Sequence, residues 1–180
     1  MCTSHNHRPD RRALLTGVSA LAATFCVGLP ALPAFAEALP VDLPPPGPSD
    51  TCPVCGMFVY RYTDWVATVV FPDGKAFHFD GGKDFFKYLN NVGKYTPGRS
   101  REEIVGMGVT DYYTVQLVDP IEALYAIGSD VLGPMGHELV PLMTEADATD
   151  FMKDHGGKRL LTYAEVDDMV LSGLDAGKFE

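Results

Sequence analysis

Positive charge is scarce in this chain: 14 Lys and Arg stand against 24 Asp and Glu. The basic residues form no patch or stripe, which argues against nucleic acid or other polyanions as partners, because contact with them rests on clustered cations. The acidity itself serves solubility. Cysteine is scarce too, with 4 in the chain, and Cys2, Cys26, Cys52 and Cys55 are too few for a disulfide framework. A second C-x-x-C and any H-x3-H pair are missing, so the pair at Cys52 and Cys55 is half of a structural zinc site at most. His78, His137 and His155 are the distant histidines that would have to complete it. No apolar run reaches the roughly 20 residues of a spanning helix. Ala13 to Leu29 comes nearest, but it is broken by Gly17 and followed by Pro30 and Pro33. Stable membrane insertion of the processed chain is therefore not expected.

What is present begins with an address. Arg8, Arg11 and Arg12 form a basic start, Ala13 to Leu29 an apolar stretch, and Ala34-Phe35-Ala36 a small-x-small cleavage site. "DRRALLTG" resembles a twin-arginine export signal. Residues 1–36 are thus expected to be removed on the way to the periplasm. This leaves 11 basic against 23 acidic residues, a net charge of −12, and leaves Cys52 and Cys55 as the remaining thiols. Residues 37–51, which contain "LPVDLPPPGPSD", read as a proline-rich linker.

The rest reads as an α+β fold made of duplicated ββαβ units, with small, mostly antiparallel sheets and packed helices. In residues 52–119 a hairpin runs through Trp65–Phe71 and Lys75–Phe79 around Pro72-Asp73-Gly74. A helix from Lys83 to Val92 carries Phe85, Phe86, Leu89 and Val92 on one stripe. Tyr113, Val115 and Leu117 alternate as the following strand. In residues 120–180 the order recurs: strands over Glu122–Ile127 and Glu138–Met143, then a helix capped by Thr144. "KRLLT" is the closing strand, and a last helix opens on a Thr162/Glu165 capping box and buries Tyr163, Val166, Val170 and Leu174.

The chemistry concentrates in "TCPVCGMFV", Thr51 to Val59. Thioredoxin-type redox pairs open a helix directly after a strand; here the pair follows a proline-rich linker and enters loop or strand. Soft-metal binding accounts for more of the stretch. Cys55-Gly56-Met57 offers a thiolate and a thioether two residues apart, and copper(I) favours both at low coordination number. A further donor must come from elsewhere. Met135 in "LGPMGHE" sits on a glycine-rich turn that would display it, and Met107 in "VGMGVT" is its rival. Met152 and Met169 read as core residues. His137, two residues from Met135, is the histidine best placed to join. His78 reads as a solvent-side strand residue or, alternatively, a ligand, Asp80 as a helix N-cap, and His155 as a helix-end residue meeting the last carbonyls.

"CGM", "GKAFHFD" and "GSDVLGPMGHELVP", in that order after an export signal, resemble the NosL family over residues 50–165. The resemblance implies a paired ββαβ architecture similar to the N-terminal region of organomercurial lyases. It implies a periplasmic copper(I) chaperone that is not an enzyme, and one that supplies the CuZ centre of nitrous oxide reductase. The partners would be the apo-reductase and its maturation proteins. Carried onto this chain, the ligands are Cys55, Met57 and Met135. Cys52 is left with three readings: fourth ligand, redox partner of Cys55, or bystander. Many members are lipoproteins, but Ala23-Thr24-Phe25 before Cys26 does not suit lipid attachment, so a soluble protein, monomer or weak homodimer, is expected. The competing functions are a thiol-disulfide oxidoreductase using Cys52 and Cys55, and a chaperone for another copper enzyme. An organomercurial lyase is a further reading, resting on fold analogy alone.

Overall fold

The alternation of small and β-branched residues after Val66 produces the expected hairpin. In the computed structural model, which describes residues 42–180, strand β1 (Ala67–Val70) pairs antiparallel with β2 (Ala76–Phe79), Ala67 facing Phe79 and Val70 facing Ala76. The proposed signal, residues 1–36, and the first part of the linker, residues 37–41, lie outside the described residues. Between the strands Asp73 Oδ1 accepts the Lys75 N–H at 3.1 Å. Gly74 there adopts φ 79°, a left-handed conformation that costs glycine nothing sterically. Helix α1 (Gly82–Asn90) and the short α2 (Val92–Tyr95) follow, then β3 (Gly106–Thr110) and β4 (Leu117–Val118). The sheet order is β2-β1-β3-β4.

The second unit repeats the winding. Strand β5 (Leu124–Ile127) leads into a small hairpin, β6 (Leu132–Gly133) and β7 (Gly136–His137), then β8 (Val140–Leu142), helix α3 (Glu145–Asp154), β9 (Arg159–Thr162) and helix α4 (Asp168–Asp175). Its order is β8-β5-β9. In both units the first strand is central, the second pairs with it antiparallel on one side, and the strand after the helix pairs antiparallel on the other. The duplication read from the sequence is therefore real, with the β6–β7 hairpin as an insertion in the second copy.

Strand β5 explains how the units share a core. Successive strand residues point to opposite faces; Leu124 and Ala126 pack with Val140, Leu142, Ala148 and Phe151 under α3, while Tyr125 and Ile127 join the larger cluster around α1. Phe86 of α1 meets Tyr125 edge-on at 5.0 Å and Tyr163 at 5.3 Å. Helix α1 is thus buried between units, which its apolar stripe alone did not reveal.

Two elements differ from expectation. The strand assigned to Tyr113–Leu117 is mostly turn: Asp111 Oδ1 takes both the N–H and the hydroxyl of Thr114 at 2.8 Å, and Val115 has φ 54°. Pairing falls instead to "GMGVT". Its glycines weaken strand propensity, yet Leu43 packs directly over Gly108, where a Cβ would stand 2.5 Å from Leu43 Cδ1, so the missing side chain makes room for the segment that crosses the sheet. The last helix also starts late. The Thr162/Glu165 capping box exists but closes only a single 3-10 turn. Asp167 then accepts the Met169 and Val170 N–H groups at 3.0 and 2.9 Å and opens α4. Val166 and Leu174 are buried as expected and Leu171 joins them, whereas Met169, expected in the core, is 78% exposed. Among the described residues no helix is long and apolar enough to cross a membrane.

Candidate metal centre

The stretch Thr51–Phe58 folds back on itself. Thr51 and Phe58 form an isolated antiparallel bridge, Cys52 N–H donates to Met57 O at 2.9 Å, and Gly56 N–H donates to Cys52 O at 2.8 Å. Residues Cys52 to Cys55 therefore make one tight turn, closed by Gly56 at φ 80°. An i, i+3 spacing on such a turn brings the two side chains to one side. Both cysteines are free thiols, Cys52 buried and Cys55 half-buried.

The turn faces the N-terminal end of α1, where the chain supplies two carboxylates. Cys55 Sγ donates to Asp80 Oδ1 at 3.2 Å and Cys52 Sγ to Asp84 Oδ2 at 3.4 Å. One ligand atom from each of Cys52, Cys55, Asp80 and Asp84 lies within 4.8 Å of all the others. Burial pushes the Cys55 thiol up to about 12; the Met57 amide acts against it, and the Asp84 and Asp80 carboxylates add to it. Burial raises Cys52 further, with Asp84 and Asp80 adding and the Cys55 and Val54 amides opposing. Both sulfurs are protonated at neutral pH. Asp80 Oδ2 is buried and has no hydrogen-bond partner among the described residues. An orphaned buried oxygen beside two thiols fits a donor kept for a ligand.

Helix α1 has no cap of its own. Its N-cap is Gly81 in extended backbone without a side-chain bond, which corrects the assignment of that role to Asp80. The cap comes from Glu138, 55 residues on in the chain, whose Oε1 accepts the Lys83 and Leu139 N–H groups. Burial lifts this carboxyl to about 8. Lys83, 3% exposed, sends its ammonium to the Met135 carbonyl at 3.2 Å and to Asp175 Oδ1 at 3.3 Å. The β6–β7 hairpin is thereby seated on the same helix end that carries Asp80 and Asp84.

Of the residues singled out from the sequence, Cys52 and Cys55 come together, and Met57 is half-buried at the return of their loop. Met135 stands at the tip of the β6–β7 hairpin, 46% exposed, next to Gly136 at φ 85°. His137 packs its ring edge-on against Phe179 at 4.8 Å. Met107 lies on β3 with its sulfur 4.0 Å from the Tyr163 hydroxyl. His78 is not on a solvent face: it is 5% exposed, with Nδ1 2.9 Å from Thr68 Oγ1 and Nε2 3.8 Å from Asp50 Oδ2. Alternation did set it opposite Phe77 and Phe79, but segment 42–50 reaches that face of the sheet. His155 pairs through Nδ1 with Asp130 at 3.0 Å rather than with helix carbonyls. Asp84, and Asp80 as a partner of the thiols, did not stand out in the sequence. The signal was there in "FDGGKD", where two acids bracket a Gly-Gly helix start.

A model of the NosL family matches residues 45–171. Over 131 residues the chain is 30% identical to the copper-binding lipoprotein NosL of Stutzerimonas stutzeri, covering 68% of this chain and 65% of that protein. The chain thus spans just under two thirds of that relative's length. The crystal structure of the copper chaperone NosL from Shewanella denitrificans superposes with a TM-score of 0.60 at 19% identity, over 72% of this chain and 98% of that one. At that identity the likeness is one of fold.

Proposed function

The chain belongs to the NosL family, and we propose that it is a periplasmic copper(I) carrier that supplies the CuZ centre of nitrous oxide reductase and has no catalysis of its own. The observation that carries this reading is the pair of free thiols on the Cys52–Cys55 turn, with Met57 on the same loop and the Met135 hairpin docked on the same helix end. Thiolate and thioether donors suit a soft monovalent ion. Cys55 is the anchor, Met57 and Met135 are exchangeable thioether donors, and Cys52 is a second thiolate. Affinity with exchange is what delivery requires.

The same chemistry argues against a thiol oxidoreductase. Exchange needs an accessible thiolate with a pKa near ambient pH, whereas burial and two carboxylates hold these thiols in the protonated form. A metal overcomes this by displacing the protons. Zinc has one specific observation behind it: Asp80 and Asp84 supply the second ligand pair that the sequence lacked. Two hard oxygens suit a divalent ion better than copper(I).

The test is transfer. Reduced, signal-free protein loaded with one equivalent of copper(I) is mixed with sulfide-containing, copper-depleted reductase, and CuZ absorption is followed. Growth of the CuZ bands with the native protein, and not with Cys55→Ser, is the expected result. Equal growth with free copper(I)–glutathione would refute the delivery role, and tighter retention of zinc(II) than of copper(I) would favour the second reading.

A further inference from the structure

A lysine that is 3% exposed calls for a reason, because an ammonium is costly to bury unless its donors are satisfied. The partners of Lys83 give one. Its Nζ reaches the Met135 carbonyl at 3.2 Å and Asp175 Oδ1 at 3.3 Å, while its own N–H is capped by Glu138. The contact between the two segments is close along its length. A Cβ on Gly81 would meet Glu138 Oε2 at 2.3 Å, one on Gly82 would meet the Leu139 carbonyl at 2.9 Å, and one on Gly133 would meet Glu138 Cγ at 2.9 Å. "DGGK" and "GPMGHEL" are therefore two halves of one interlock, and the ammonium is the part of it that grips the hairpin at the Met135 carbonyl.

We propose that Lys83 is the positioning residue of the copper site: anchored by Asp175, it fixes the hairpin tip at the Met135 carbonyl and so sets where the Met135 thioether can reach. This rests on the reading of Met135 as a copper(I) donor. Lys83 does not touch the ion. Without it the hairpin tip, which is exposed and only two residues long between its strands, loses its tether to α1. Groups that orient metal ligands in this way are commonly worth about 10- to 100-fold in affinity.

The experiment is a copper(I) competition titration of the native chain, Lys83→Leu, Met135→Leu, the double variant and Cys55→Ser, with 13C-methyl-methionine spectra recorded before and after copper(I). Lys83→Leu removes the ammonium without adding a thioether that copper(I) could use. Its affinity is expected to fall by about 10- to 100-fold, matching Met135→Leu, with no further loss in the double variant. The copper-induced shift of the Met135 methyl should vanish in Lys83→Leu while that of Met57 persists, and Lys83→Arg should restore it. Native affinity in Lys83→Leu, a retained Met135 shift, or additive losses in the double variant would overturn the proposal. Should Lys83→Leu fail to fold by circular dichroism, Gly133→Ala displaces the hairpin without touching the ammonium. The same loss of the Met135 shift is expected, and native behaviour would count against the interlock. Cys55→Ser separates the two levels. If it binds as tightly as the native chain, the copper site itself is misread; if it collapses while Lys83→Leu is native, only the positioning role falls.

Discussion

On the proposed reading, copper(I) has to expel one proton from each thiol it binds, because burial holds Cys55 up at about 12 and raises Cys52 as well. The number of protons released therefore counts the thiolates in the site. The sign follows from the direction of the shifts: with both folded-state values raised, the thiols stay protonated through the neutral range, and apparent affinity climbs steadily with pH and reaches no plateau. Each proton contributes about a tenfold rise per pH unit. Two thiolates predict about 100-fold per unit, or about 1000-fold between pH 6.5 and 8. A site using Cys55 alone predicts about 30-fold over the same interval. The assay is chelator competition at four pH values, corrected for the chelator's own titration, with Cys52→Ser alongside. Cys52→Ser should halve the logarithmic slope. A flat native profile would refute the burial argument, and an unchanged slope in Cys52→Ser would show that Cys52 is not a ligand.

Glu138 makes stability pH-dependent in a definite sense. Its folded value of about 8 lies above the ordinary 4.5, so between those values the folded chain keeps a proton that the unfolded chain has released, and stability falls as pH rises through the window. Urea unfolding at pH 5 and pH 8 should show that fall in the native chain and much less of it in Glu138→Gln, whose amide oxygen still caps α1; an equal fall in both would refute it. Gly81→Ala places a methyl 2.3 Å from Glu138 Oε2, on a carboxyl held through its other oxygen by the Lys83 and Leu139 N–H groups, and should cost about 1–3 kcal/mol in chemical denaturation. Gly93→Ala, whose Cβ meets nothing nearer than 3.8 Å, is the control. Phe86→Ala removes the ring that joins α1 to Tyr125 and Tyr163. It should cost about 3–5 kcal/mol, with both units unfolding in one transition.

The division between sequence and structure follows the range of the forces involved. Local patterns carry local structure: alternation and a Pro-Asp-Gly turn specify the β1–β2 hairpin, Thr144 specifies the start of α3, accepting the Asp147 N–H at 3.0 Å, and the order of elements in the two copies specifies the paired ββαβ architecture. The spacing of Cys52 and Cys55 likewise places two thiols on one side of a turn, where the fold brings them together. Where two local rules competed, the sequence could not rank them. Thr162 with Glu165 reads as the cap of the last helix, but in the fold that box closes a single 3-10 turn and Asp167 opens α4, with Met169 at the surface. Where a contact joins residues far apart in the chain, no pattern announced it. Asp80 and Asp84 meet the thiols across 25 and 32 residues, and Glu138 caps α1 across 55. Composition and local pattern carry the two thiols on one turn and the winding of the two halves. Only the tertiary structure decided which carboxylates those thiols face, because that depends on how the Cys52–Cys55 turn and the β6–β7 hairpin dock on one buried helix end.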